Sequence, residues 1–173
     1  MRGNHMSDLV NQRLKELKID LPETPSPVAN YLPYIITDNL VFISGQIPFV
    51  EGRLLYSGTV GEDISIEDGQ KAARICGLNL LSQLNQACNQ NLDRVSRVVK
   101  IGGFVNATSI FREHALVING VSDLMVEVFQ DRGKHARAAI GCSSLPLGAS
   151  VEVEAIFEIK LEVNKIPDKI FTE

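Results

Sequence analysis

The side chains best suited to nucleophilic or metal chemistry are Cys76, Cys88 and Cys142, with His5, His114 and His135. Neither set has the short paired spacing of a metal site, and an odd number of cysteines fits buried thiols in a reducing compartment. Gly102-Gly103 stands outside any dinucleotide or phosphate-loop pattern. A Ser-His-Asp reading has no nucleophile elbow to anchor it. What remains is Arg137, whose guanidinium fork suits a planar carboxylate, and Glu152, a carboxylate able to orient water and relay a proton. Each has a plainer reading. Arg137 on a strand could meet a carboxylate at a subunit contact, and Glu152 belongs to a row of glutamates on a solvated face. Tyr31, beside Pro33, reads as packing, whereas Gly45 after Ser44 lets backbone N–H groups approach a ligand. Asn119 falls off the apolar stripe of its helix, which suits solvent or a cleft wall.

The elements that must position these residues follow from periodicity. Leu9, Val10, Leu14 and Leu17 mark a short amphipathic helix, ended by a Pro-rich linker from Pro22 to Pro27. Leu40–Ile47 reads as a strand and Leu54-Leu55-Tyr56 as part of a hairpin region. Ser65 caps a helix running from Ile66 to about Gln90, with Ala73, Gly77, Leu80, Leu84 and Ala87 on one stripe. Val95–Val105 is a strand. Val117, Val121, Leu124 and Val128 mark a helix stopped by Gly133, and strands follow over 136–143 and 150–163. In the last strand Val151, Val153, Ala155, Phe157 and Ile159 alternate with Glu152, Glu154, Ile156 and Glu158, so one face packs and the other carries charge. The order predicts an α/β (α+β) two-layer sandwich, two helices on one face of a mainly antiparallel mixed sheet. Both faces of Leu40–Ile43 are apolar, as at Phe104-Val105, so the open face should be covered by other copies of the chain or by the N-terminal segment.

The chain has 173 residues, 17 Lys plus Arg and 21 Asp plus Glu, a net charge of −4, and a pI near 5.4. With 45% apolar and 22% charged residues it has ordinary globular composition. The acidic balance weighs against a sequence-independent nucleic-acid binder. No apolar run reaches the roughly 18–20 residues of a membrane span, and the N-terminus lacks an apolar signal core, so the expected location is cytoplasmic. Residues 1–5 read as a cloning remnant, 6–26 as the helix and linker, 27–163 as the domain and 164–173 as a tail.

Several blocks stand in a familiar order: Pro27-Val28-Ala29-Asn30-Tyr31, Ser44-Gly45-Gln46-Ile47-Pro48, Leu92-Asp93-Arg94-Val95, Ala136-Arg137-Ala138-Ala139, Leu145-Pro146 and Val151-Glu152-Val153-Glu154-Ala155. Together they resemble the YjgF family, also called Rid (reactive intermediate deaminase) and formerly endoribonuclease L-PSP, from about Pro27 to Glu162. The resemblance implies a chorismate-mutase-like fold and a homotrimer with ligand clefts between subunits. It also implies cofactor-free and metal-free hydrolysis of small carboxylated enamines and imines, of the 2-iminobutanoate and 2-iminopropanoate type, to 2-oxoacids and ammonia. Arg137 matches the family arginine that grips the substrate carboxylate, Glu152 the glutamate associated with the attacking water, and Tyr31, Ser44, Gly45 and Asn119 positions lining the cleft. Ala139 departs from the pattern, because deaminases often have cysteine there, and the segment between Phe104 and Asn119 is longer. A non-catalytic ligand-binding trimer and the ribonuclease or translation-inhibitor activity of the older label are the alternatives.

One geometric expectation follows from the residues. If Leu145–Gly148 is a simple turn, Arg137 faces Ile156, and Glu152 shares its sheet face about 13 Å away. Either the arginine's reach or a neighbouring subunit must then complete the site.

Overall fold

The computed structural model describes residues 8–23 and 31–161. The residues 1–5, most of the Pro-rich linker (24–30), the end of the last strand beyond Leu161 and the tail at 164–173 lie outside them. The elements are α1 (Leu9–Glu16), β1 (Tyr34–Thr37), β2 (Leu40–Gln46), β3 (Phe49–Val50), β4 (Arg53–Leu54), α2 (Ile66–Ala87), β5 (Val95–Asn106), α3 (His114–Phe129), β6 (Ala136–Cys142) and β7 (Val151–Ile159).

The five-stranded sheet has the order β1-β2-β7-β5-β6, with β3 and β4 a separate small hairpin. Every neighbouring pair in it is antiparallel except β5 and β6. Ser65 caps α2 through the Asp68 N–H at 3.1 Å. Val151, Val153, Ala155, Phe157 and Ile159 point from β7 into the core, against Leu80 and Leu84 of α2 and Val121 and Leu124 of α3. Each such side chain contributes roughly 1.5–3 kcal/mol on leaving water. The two-layer α+β architecture is therefore the one the residue pattern predicts. β1 escaped the periodicity because it is a four-residue edge strand whose last three residues are exposed.

The expected hairpin between β6 and β7 does not exist. β5 lies between them: Arg137 pairs with Ile101, and Ile101 pairs with Ala155 rather than Arg137 with Ile156. Two physical causes combine. The β5-α3-β6 segment is a crossover, which returns the chain parallel to β5. Pro146–Gly148 is then a short 3-10 turn, with Leu147 at φ 56 and Gly148 at φ 74, that carries the chain past β5 to β7.

The open sheet face carries apolar side chains among its charged ones, as read from Phe42 and Phe104, and Ile35, Phe42 and Ile140 are 56%, 40% and 51% exposed there. α1 does not cover it. Val10 and Leu14 are buried in the core cluster, and Arg13 donates to the Glu127 carbonyl of α3 at 3.0 Å. The Asp93 carboxylate accepts the N–H groups of Leu9 and Val10 at 2.9 Å each. A carboxylate at a helix N-terminus satisfies orphan donors and complements the helix dipole. Asp93→Ala should cost about 1–2 kcal/mol and lower Tm by a few degrees. Amide exchange confined to residues 9–16 checks that the loss is local to α1.

Candidate functional site

Parallel partners share a sheet face, so Arg137, beside Ile101, lies on the helix-covered side of edge strand β6. α3 overlies it there. Arg137 Nη1 donates to Asn119 Oδ1 at 2.9 Å and to Ser122 Oγ at 3.1 Å. These two acceptors use both protons of Nη1. The Nε–Nη2 edge, the fork that matches a carboxylate, is left with no partner among the described residues, and no carboxylate there pairs with this exposed arginine. The plainer reading, a carboxylate met at a subunit contact, concerns a second copy and stands beside this one. Ser122 was missed by sequence reasoning. Its only signal was a position three residues after Asn119, which gains meaning once α3 is known to lie over β6.

Glu152 sits on the other side of the sheet. It pairs with Phe104, on the face shared by Gly102, Glu154 and Ile156. The expectation that Arg137 and Glu152 share one face is therefore wrong, and the cause is again the insertion of β5. Burial, and after it the Glu154 carboxylate, pushes the Glu152 carboxyl above the ordinary glutamate range. A carboxyl so placed is better matched to accepting and returning a proton near neutral pH.

Gly45 faces Glu152 at the irregular end of the β2–β7 ladder. An ideal Cβ there would stand 2.0 Å from Glu152 Oε1, so the glycine is what admits the carboxylate. Ser44 is no free donor: its N–H is given to the Pro33 carbonyl at 3.0 Å and its hydroxyl to the Leu32 carbonyl at 2.7 Å. Both bonds tie the incoming chain to β2 and bring Tyr31, 59% exposed, to this end of the sheet. A concavity of about 210 Å³ adjoins it, lined by Leu32, Ile35, Phe42, Ser44, Lys100 and Glu154.

The six residues thus fall into two groups, Arg137 with Asn119 and Glu152 with Gly45, Ser44 and Tyr31, with Glu152 on the opposite face from Arg137 and two strands from it, and Ser44 and Gly45 three strands from it. Burial raises the Cys142 thiol, and the Glu152 carboxylate adds to the rise. Burial pushes Cys76 well up and Cys88 to about 11. Among the described residues no group of three or more His, Cys, Asp or Glu is placed to hold a metal ion, and no helix is long and apolar enough to cross a membrane.

Comparison with known proteins bears on this arrangement. A family described as "YjgF/chorismate mutase-like, putative endoribonuclease" matches residues 11–159. Protein TCP17 of Trypanosoma cruzi is 42% identical over 154 residues, 88% of this chain and 96% of that protein. The 2-iminobutanoate/2-iminopropanoate deaminase of Dermatophagoides farinae is 26% identical over 143 residues, 82% of this chain and 95% of that one. The crystal structure of protein Atu1372 from Agrobacterium tumefaciens, of unknown function, superposes with a TM-score of 0.83 at 45% identity, covering 90% of this chain and 95% of its own. A match spanning nearly all the described domain establishes that the chain belongs to the YjgF/chorismate-mutase-like family.

Proposed function

We propose that this chain is a cofactor-free hydrolytic deaminase of small carboxylated imines and enamines, working as a homotrimer with its sites between subunits. The observation that carries the reading is the free Nε–Nη2 edge of Arg137, braced by two neutral acceptors and facing solvent. Such a fork grips a carboxylate with two parallel charge-assisted bonds. The name of the mite relative supplies the reaction class. Because Arg137 and Glu152 lie on opposite faces, one chain cannot bring both to one small substrate; Arg137 and Asn119 of one copy would meet Glu152, Gly45, Ser44 and Tyr31 of the next. The exposed apolar side chains of the open face, Ile35, Phe42 and Ile140, supply surface for such contacts.

In the proposed reaction the Glu152 carboxylate takes a proton from water as the water oxygen attacks the C=N carbon. Returning that proton to nitrogen gives a neutral carbinolamine; the carboxylate then takes the remaining hydroxyl proton and passes it to nitrogen as the C=O bond forms and the C–N bond breaks, so a 2-oxoacid and ammonia leave. Holding the carboxylate while the water is aimed converts an encounter into a positioned attack.

The test is to generate 2-iminobutanoate in situ and follow 2-oxoacid release, with gel filtration alongside. Acceleration over background is expected, from a species near three chains in mass. Background rates would move the reading to a ligand-binding protein, and a monomeric mass would remove the shared site. Gly45→Ala offers a finer check. The added methyl must displace the end of a flexible Glu152 side chain, so Tm should move by no more than about 2–3 °C. Turnover should fall by roughly tenfold to a hundredfold, because the carboxylate is misplaced by about 1 Å.

A further inference from the structure

Arg137 is held by a chain of hydrogen bonds that ends on a residue with no role so far. Ser122 Oγ lies 3.0 Å from His135 Nε2 as well as 3.1 Å from Arg137 Nη1. His135 Nδ1 lies 2.6 Å from the Gly133 carbonyl oxygen. A carbonyl only accepts, so Nδ1 carries the proton and Nε2 of the neutral ring is an acceptor. The single hydroxyl proton of Ser122 therefore goes to His135. A lone pair of Ser122 is thereby turned toward Arg137. Were the hydroxyl proton aimed at Arg137 instead, two donors would face each other.

We propose that Ser122 and His135 are positioning residues that set the roll of the Arg137 guanidinium, and so aim its Nε–Nη2 edge at the substrate carboxylate. The order of control runs backward from Gly133. A Cβ on that glycine would stand 2.2 Å from the Met125 carbonyl, so Gly133 packs its backbone directly on α3 and delivers its carbonyl to a fixed point. That carbonyl selects the His135 tautomer, the tautomer orients the Ser122 hydroxyl, and the hydroxyl with Asn119 consumes both protons of Nη1. Two acceptors at fixed places leave a planar guanidinium a single roll angle, whereas one leaves it free to swing about that bond. Ser122 and Asn119 belong to α3 and His135 precedes β6, so the brace also ties the arginine's orientation to the docking of α3 on the sheet edge. The ligand class of this inference, a small 2-oxo or 2-imino carboxylate, rests on the deaminase reading. The brace itself does not.

Two measurements keep these apart. The first is the 15N–1H signal of Arg137 Nε in the free full-length protein, assigned by its loss in Arg137→Ala. It should be a distinct resonance that shifts or broadens in Ser122→Ala and in His135→Ala. It should return toward its native position in His135→Gln, whose side-chain oxygen can stand where Nε2 accepts. An unchanged Nε signal in a folded Ser122→Ala protein overturns the brace, whatever the ligand. The second is titration with 2-oxobutanoate. Affinity is expected to fall about fivefold to twentyfold in Ser122→Ala and His135→Ala, to recover within about threefold in His135→Gln, and to vanish in Arg137→Ala. In turnover assays the same variants should raise KM more than they lower kcat, a split that a general loss of stability would not produce. Native-like affinity in Ser122→Ala, beside lost binding in Arg137→Ala, overturns the positioning role while leaving the grip intact. No binding by the native protein, with an Nε signal that still depends on Ser122, sinks the carboxylate reading and leaves the brace standing.

Discussion

Arg137→Ala is expected to lower kcat/KM for a carboxylated imine by about 30- to 300-fold, with most of the loss in KM. Truncating one partner of a desolvated, hydrogen-bonded charge pair costs about 2–5 kcal/mol, and each 1.4 kcal/mol is tenfold. The lower half of that range applies because Arg137 is exposed within a single chain. Arg137→Lys is the sharper variant. An ammonium keeps the charge but cannot serve Asn119, Ser122 and a two-oxygen ligand at once, so it should recover less than a tenth of the lost activity. Folding should survive both changes, since among the described residues the arginine's side chain makes two hydrogen bonds, each to a group that water can replace. The measurement is initial-rate kinetics over a substrate series, with an amide analogue that should be indifferent to the substitution. An alanine variant with native KM would mean that the carboxylate is held elsewhere.

Glu152→Gln is expected to separate activity from stability. Losing the group that takes and returns the proton should lower kcat by about 10²–10⁴. The same change should raise Tm at neutral pH by about 1–3 °C, the size suited to a half-buried group partly screened by solvent. Burial and Glu154 raise the carboxyl's pKa in the folded chain. Between the unfolded and folded values the folded state binds more protons, and stability falls as pH rises through that interval. Above it the ionised Glu152 is a standing cost, which glutamine removes. Below the unfolded value both states are protonated and the advantage of glutamine disappears. Thermal melts at acid and neutral pH, paired with kcat, check both halves. A glutamine variant less stable than the parent at neutral pH would show that the carboxylate is held by contacts that favour its ionised form. In the parent protein, on the proposed reaction, kcat should decline toward acid pH with a midpoint above the ordinary glutamate range, because the water must meet a carboxylate rather than a carboxylic acid.

What could be read from the residues was what local rules control. Ser65 capping α2 needs only its neighbour three positions on, and the alternation of β7 states which residues face the helices before any partner is known. The place of β5 between β6 and β7 obeys no local rule. Leu145-Pro146-Leu147-Gly148 looks like a hairpin turn in isolation, and only the crossover through α3 forbids it. That single error moved Arg137 to the wrong sheet face. Tyr31, Ser44, Gly45, Glu152 and Arg137 were singled out by the ordered blocks they stand in and Asn119 by the resemblance alone, and the structure sets them in two groups rather than one. Ser122 and His135 were not legible, because a serine and a histidine thirteen positions apart make contact only after a helix lies on a strand.

The seat of α1 has a consequence for the order in which the chain is made. Its side-chain ties run to Asp93 and to Glu127, 84 and 114 positions downstream. At roughly 5–20 residues per second of synthesis, those partners follow the helix by about 4–25 s. An eight-residue helix is too short to hold itself in water for that interval. The helix, made well before its partners, is therefore among the last elements to fold, and until Asp93 and α3 arrive the apolar side of Leu9, Val10 and Leu14 is open to any chaperone that recognises short hydrophobic stretches.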